Sequence, residues 1–253
     1  MPIVVFQNHP LETPGRLGQI LGGHGQALQV CRTYTGDPLP VDLDDVDGLL
    51  ILGGPMDVGG EAEHPWIPQV QALIQAAHDD GLPVVGICLG AQLIAATLGG
   101  EVGPMEAPEV GVAEVTSTFF GSTDPLLAGI PWNTPQFHLH TQAVTKAPPG
   151  GTPMPLQSSE ACKVQAFRVG LTTYGFQYHF EWDRAAILEV LNANADLLQE
   201  HGLDPSAIAS DLDDRYLQHR HFGDRLCQNL ATLLYPIDKR LPPVGSDVTN
   251  FRN

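Results

Sequence analysis

Over the first hundred residues, short apolar runs alternate with longer amphipathic stretches. Ile3-Val4-Val5-Phe6 stops abruptly at Gln7-Asn8-His9, as a strand buried on both faces stops at a sheet edge. A weak helical pattern covers Leu17 to Leu28. Asp47 to Leu52 predicts a second buried strand, closed by Gly53-Gly54-Pro55. Pro68 to Asp80 predicts a helix, with Val70, Leu73, Ile74 and Ala77 at helical spacing and Gly81 as its stop. Leu82 to Ile87 then reads as a third strand, and Leu89 to Leu98 as a helix ended by Gly99-Gly100. Strands alternating with helices across short turns predict an α/β fold: a mostly parallel open sheet with helices on both faces.

From Glu101 to about Gln165 the pattern changes to short strands, such as Gly111 to Thr116, separated by turns rich in proline and glycine. Pro148-Pro149-Gly150-Gly151-Thr152-Pro153 predicts a loop. Thr173 to Tyr178 predicts a last strand. Helical patterns follow at Ala185 to His201, Pro205 to about Leu217, and Asp224 to Leu234. The expected organisation is a catalytic domain over 1–182, a helical extension packed on it over 183–235, and a surface tail over 236–253.

Composition narrows the function classes. A hydrophobic share of 43% in 253 residues permits a sizeable core. Twelve Lys and Arg against 29 Asp and Glu give a formal charge of −17, a surface that repels phosphate backbones and argues against a nucleic-acid partner. Cys31, Cys88, Cys162 and Cys227 are far apart and form neither a disulfide framework nor a zinc knuckle. The start of the chain lacks the basic and apolar regions of a signal peptide, and no apolar run reaches the ~18 residues of a membrane span. The expectation is a reduced, soluble, cytoplasmic protein.

Candidate chemistry begins at Gly86-Ile87-Cys88-Leu89-Gly90. The form Gly-x-nucleophile-x-Gly between a strand and a helix describes a nucleophile elbow, whose tight turn strains the middle residue and lifts its side chain above the sheet's carboxyl edge. The helix N-terminus there favours a thiolate and offers free N–H groups to an oxyanion. A buried structural cysteine is the alternative. His179 and Glu181 stand two apart at the end of a strand, so both point to one face, and the carboxylate can orient the imidazole toward Cys88.

Three motifs carry a family resemblance. Gly86-Ile87-Cys88-Leu89-Gly90-Ala91-Gln92, Leu52-Gly53-Gly54-Pro55 and Gly175-Phe176-Gln177-Tyr178-His179-Phe180-Glu181 resemble the nucleophile, oxyanion and histidine–glutamate motifs of class I glutamine amidotransferases, in family order. The resemblance implies a flavodoxin-like architecture with a C-terminal helical extension, and a triad of Cys88, His179 and Glu181. It implies an oxyanion hole from the N–H groups of Gly54 and Leu89, and substrate contact by Gln92. The family segment that meets the amino-acid end of glutamine falls on His140, Thr141 and Gln142. No cofactor and no metal are implied.

Two positions depart from the pattern. Phe180 replaces the proline usual between the histidine and the glutamate. Phe137-His138-Leu139-His140-Thr141-Gln142 keeps one histidine but changes its neighbours, so the preferred substrate need not be free glutamine. His138 and His140 form a His-x-His pair without an evident third ligand for a metal. His219-Arg220-His221 reads as a solvated helix end, and Cys31, Cys162 and Cys227 as structural. About 70 residues follow Glu181, too few for an acceptor domain. The leading expectation is a stand-alone enzyme acting on a small γ-glutamyl substrate through a γ-glutamyl thioester. A glutaminase subunit serving a separate synthase, a non-catalytic regulatory protein, and another cysteine enzyme of the same architecture are the alternatives; a homo-oligomer stays open.

Overall fold

The structure, a computed structural model, describes residues 1–235; the expected tail over 236–253 lies outside them. The strands are β1 (Ile3–Gln7), β2 (Leu28–Arg32), β3 (Gly48–Ile51), β4 (Val84–Ile87), β5 (Glu101–Ser117), β6 (Asn133–Lys146), β7 (Gln157–Ser158), β8 (Ala166–Val169) and β9 (Thr173–Phe176). They form one sheet in the order β2-β1-β3-β4-β9-β8-β7-β5-β6. The five strands from β2 to β9 run parallel, and the other four join antiparallel.

The central strands alternate between two cores, as period-two geometry requires. Ile3, Val5, Leu50, Leu52, Val85 and Ile87 face one apolar cluster; Val4, Phe6, Leu49, Ile51 and Val84 face the other. Helices α1 (Gly15–Gly23) and α7 (Pro205–Asn229) cover the first face through Leu17, Leu21 and Leu226. On the second face lie α2 (Ile67–Asp79) and α3 (Leu89–Thr97), through Val70, Ile74, Leu93 and Ile94. A short helix, α4 (Phe119–Thr123), follows β5. A third cluster joins Phe137 and Trp182 to Ile187, Val190 and Leu191 of α5 (Arg184–Ala193) and to Leu198 of α6 (Ala195–Glu200). Among the described residues, no helix is long and apolar enough to cross a membrane.

Several boundaries differ from the pattern reading, each for a local reason. The helix expected to reach Leu28 ends at Gly23, and Leu28–Arg32 forms the edge strand β2, whose half-exposed residues carry little apolar signal. The short strands expected after Glu101 are one long ribbon of β5 and β6. A register shift between Pro104 and Glu109 absorbs the proline-rich stretch, so pairing resumes beyond it. The strand β8 was hidden between polar turns. The helix expected from Ala185 to His201 breaks at Asn194 into α5 and α6.

The two helices expected around His219-Arg220-His221 are one. His219 is fully buried in the middle of α7, and not at a solvated end. Gly223, which looks like a break in the sequence, is a contact point: a Cβ there would lie 2.6 Å from the Phe180 carbonyl oxygen. Helix α7 then passes into a π turn at Leu230–Leu234.

Backbone packs closely against backbone around the Cys88 turn. A Cβ on Gly90 would sit 2.1 Å from the Ile51 carbonyl oxygen, and one on Gly86 would sit 2.4 Å from the Gly90 carbonyl. Helix α3 therefore starts in direct backbone contact with β3. Gly90→Ala is expected to lower the unfolding free energy by about 2–3 kcal/mol, because the obstacle is main chain and cannot yield. Gly22→Ala, in a helix with nothing within 4 Å of the added methyl, is expected to raise it by about 0.5–1 kcal/mol. Denaturant unfolding of the two variants checks both; equal effects would contradict the packing described.

Candidate active site

The site forms where β1, β3, β4 and β9 release their chains at the carboxyl edge of the sheet, the usual ligand edge of open α/β folds. Val4 pairs with Leu49, Leu50 with Val85, and Ile87 with Phe176. The residues after these strands therefore converge: Asn8 to Glu12, Gly53 to Asp57, Cys88, and Gln177 to Glu181.

Cys88 follows β4 with φ 52° and ψ −109°, the only non-glycine at positive φ among the described residues. Such an angle costs of order 1–3 kcal/mol and persists only where its surroundings enforce it. Its N–H donates to the Phe176 carbonyl at 2.8 Å, tying the turn to β9. The helix that starts at Leu89 leaves its first N–H groups without intrahelical partners. Gly54 stands against it, with its Cα hydrogen toward the Leu89 side chain.

His179 and Glu181 lie just beyond β9, yet the two-residue alternation continues through them. Phe176, Tyr178 and Phe180 turn into the aromatic core, Phe180 meeting Phe176 edge-on with ring centres 5.2 Å apart. Gln177, His179 and Glu181 turn the other way. The presence of Phe180 in place of a proline thus adds a core anchor and leaves the facing of its neighbours intact. The His179 N–H donates to the Phe137 carbonyl at 2.9 Å, which fastens the segment to β6.

Glu181 Oε1 lies 2.8 Å from His179 Nδ1, and the Cys88 thiol is close enough to favour the charged imidazole. Burial by itself disfavours the charged ring. The charge of Glu181, the proximity of Cys88, the hydrogen bond with Glu181 and the charge of Glu12 outweigh it and raise the His179 pKa well above the ordinary value. Trp182 stacks on the ring, with centres 3.6 Å apart and planes 13° from parallel, and limits its rotation. Trp182 carries no motif of its own; an aromatic one residue past the glutamate is its only trace in the sequence.

The largest omission from the sequence reading is Glu12. It is buried, lines the same cavity as Cys88, and brings an oxygen within 4.8 Å of donor atoms of His179 and Glu181. Burial pushes its pKa up to about 7, against the charge of His179 and with that of Glu181. It occupies an irregular loop with no periodic pattern, so nothing in the chain announces it.

Gln92, His140, Thr141 and Gln142 come together on one wall. Gln92 Nε2 donates to the Gln142 carbonyl at 2.9 Å and to Gln177 Oε1 at 3.3 Å. His140 Nδ1 is 3.1 Å from that same carbonyl. The Gln142 amide donates to Asp57 across the cavity mouth. Thr141 is exposed at the cavity, and the Cys88 thiol points toward the Leu139 carbonyl, 3.9 Å away.

His138 and His140 do have a neighbour that the sequence reading missed. Glu109 of β5, opposite His140 in the ribbon, places Oε2 3.1 Å from His140 Nε2 and 3.6 Å from His138 Nδ1. Ser159 and Gln165 donate to its two oxygens at 2.9 and 2.8 Å. Despite burial, contacts with His140, His138 and Ser159 hold its pKa down to about 2. Hydrogen bonds already occupy this carboxylate, so the cluster acts as a buried polar tie behind the cavity wall.

The remaining cysteines, Cys31, Cys162 and Cys227, are buried and do not line the cavity. Burial raises the pKa of each. The cavity itself is about 390 Å³ and is bounded by the loop after β1, the Gly54–Asp57 turn, β6, and Val190 to Leu197 of α5 and α6. That volume suits a small molecule.

The family model described as "Glutamine amidotransferase class-I" matches residues 22–186. The chain is 34% identical over 184 residues to a subunit of the glutamine-hydrolyzing GMP synthase of Natronomonas pharaonis, covering 71% of this chain and 87% of that protein. It is 27% identical over 222 residues to γ-glutamyl peptidase 3 of Arabidopsis thaliana, covering 82% and 84%. Among solved structures, the glutamine amidotransferase of Methylobacillus flagellatus superposes with a TM-score of 0.80 at 30% identity, covering 90% of this chain and 93% of that one.

Glu12 yields a stability test. Its folded pKa, about 7, lies above the ordinary 4.5, so ionisation is disfavoured in the folded state. Its contribution to stability is therefore complete below pH 4.5 and is lost as the pH rises through 7. Glu12→Gln removes that loss. The variant is expected to match the native chain near pH 4.5 and exceed it by on the order of 2–3 kcal/mol above pH 8. Denaturant unfolding at both pH values checks this, and a difference independent of pH would refute it.

Proposed function

The chain belongs to the class-I glutamine amidotransferase family, and from that premise we propose that it hydrolyses a γ-glutamyl amide through a Cys88 thioester, as a stand-alone enzyme. The observation that carries the reading is the chain of groups from a strained Cys88, beside the buried His179 ring, to Glu181 at 2.8 Å from its Nδ1.

The roles follow from that chain. His179 accepts the thiol proton, and the Cys88 sulfur bonds to the γ-carbonyl carbon. The N–H groups of Gly54 and Leu89 receive the oxyanion, each contributing about 3–4 kcal/mol as in comparable sites. The carbon–nitrogen bond breaks as His179 returns the proton to the departing amine. Water, deprotonated by His179, then attacks the thioester and releases glutamate and the free thiol. Glu181 fixes the tautomer and balances the imidazolium, while Trp182 holds the ring plane. Gln92 and His140 act by fixing the Gln142 carbonyl, which sets the wall where Thr141 meets the amino-acid end of the substrate.

A second reading, a glutaminase subunit for a separate synthase, draws on the resemblance to the Natronomonas synthase. It differs in one respect: ammonia release would require the partner. Purified protein alone is expected to release amine or ammonia from γ-glutamyl substrates. Cys88→Ser and His179→Ala are each expected to lose at least about 10³-fold in kcat/KM. Intact mass should show a γ-glutamyl adduct on Cys88 with a slow substrate. Full activity in Cys88→Ser would end the proposal, and activity seen only with an added synthase would favour the second reading.

A further inference from the structure

The cavity beside Cys88 has a one-sided charge. Glu12 and Asp57 line it, and no lysine or arginine does so among the described residues. Glu12 is only 9% exposed, and its Oε2 has no hydrogen-bond partner. Gly53 makes room for that oxygen, since a Cβ there would lie 2.5 Å from it. An ionised carboxylate so placed is costly, and a cation in the cavity would add to the His179 charge in offsetting that cost. Asp57 stands exposed at the mouth, positioned by the Gln142 amide. The lining histidines are engaged locally: His140 with Glu109 and the Gln142 carbonyl, His9 with the Leu11 N–H. Much of the remaining wall is apolar, with Leu11, Met56, Leu139, Val190 and Leu197.

We propose that this cavity selects γ-glutamyl amides by the charge of the amine they release, admitting uncharged and cationic amines and excluding amines that bear a carboxylate. The inference rests on the hydrolase reading above and names its substrate class. A γ-glutamyl group brings one ammonium and one carboxylate of its own. A second carboxylate, as in a γ-glutamyl amino acid, would enter a cavity whose lining carries two acids and no lysine or arginine to receive it. An uncharged amine escapes that repulsion, and a cationic amine is attracted by the charges of Glu12 and Asp57.

Two measurements on the purified protein test this, both at pH 8 and in salt that shortens the screening length to about 8 Å or less. In the first, kcat/KM for γ-glutamylethylamide and γ-glutamylputrescine is expected to exceed that for γ-glutamylglycine at least tenfold, with Asp57→Asn narrowing the gap. In the second, Cys88 reacts with cationic aminoethyl methanethiosulfonate or anionic sulfonatoethyl methanethiosulfonate. Rates are normalised to a small free thiol, followed by intact mass, with Cys88→Ser as the blank. The cationic reagent is expected to be favoured at least tenfold, and Glu12→Gln and Asp57→Asn each to reduce that preference. Equal reagent rates, or γ-glutamylglycine turned over as well as the ethylamide, overturn the proposal. No turnover of any amide with the reagent preference intact would sink the hydrolase reading instead, and leave the cation-selective cavity standing.

Discussion

The site depends on one adjacency, the parallel pairing of β4 with β9. These strands are distant in sequence, yet Ile87 lies opposite Phe176 and the Cys88 N–H binds the Phe176 carbonyl. A one-residue slip would turn His179 and Glu181 into the aromatic core and Phe180 toward Cys88. The core prevents that slip, because Phe176, Tyr178 and Phe180 form an interlocked edge-to-face cluster that fits only one register. The chemistry of one face of the segment is thus held in place by the packing of the other.

A second layer of constraint comes from α1 and α7. The Arg16 N–H donates to the Glu181 carbonyl, and the Arg16 guanidinium reaches the Phe180 and Arg220 carbonyls and Asp224. One buried arginine therefore binds the start of α1, the middle of α7 and the backbone of the His179–Glu181 segment. With Gly223 packed against the Phe180 carbonyl, the C-terminal helix is part of what fixes the site's geometry. His219, solvated by the sequence pattern, lies in this layer. Burial pushes its pKa down to about 3, aided by the charge of Arg16, so it packs there as a neutral ring.

What could be read in the sequence was whatever a short local pattern encodes. The central strands are uniformly apolar because both faces are buried, and the Gly86–Gly90 elbow needs two glycines at fixed offsets from Cys88. His179 and Glu181 obey a two-residue period. The features that escaped are those set by long-range contact. β2 is an edge strand with a weak pattern; β5 and β6 gain their length from each other; and α7 runs straight through a glycine that looks like a stop. Glu109 was invisible as the neighbour of His138 and His140 because ribbon pairing alone brings it there. Glu12 was invisible because its loop has no period, and its importance arises only from where β1 and β3 end.

The division of labour within the cavity follows from the same geometry. The groups that react in the proposed hydrolysis sit on the rigid parallel half of the sheet, at strand ends and a helix start held by close backbone contacts. The groups that meet the rest of a substrate come from elsewhere: the ribbon strand β6, the Gly54–Asp57 turn, and the α5–α6 break at Asn194. Strand β6 and the α5–α6 break rest on the third apolar cluster and on the Glu109 network, while the turn packs through Met56 on the second cluster. The two sets meet at the Phe137 carbonyl, which binds the His179 N–H, and at Trp182, which stacks on the His179 ring. Glu12 belongs to both: its carboxylate touches the electrostatics of His179 and also faces the cavity. A residue in that position couples the charge of what is bound to the proton affinity of the imidazole. In the proposed hydrolysis, a cation drawn to Glu12 offsets a negative charge that otherwise helps to hold the proton on His179, and so eases its transfer to the departing amine.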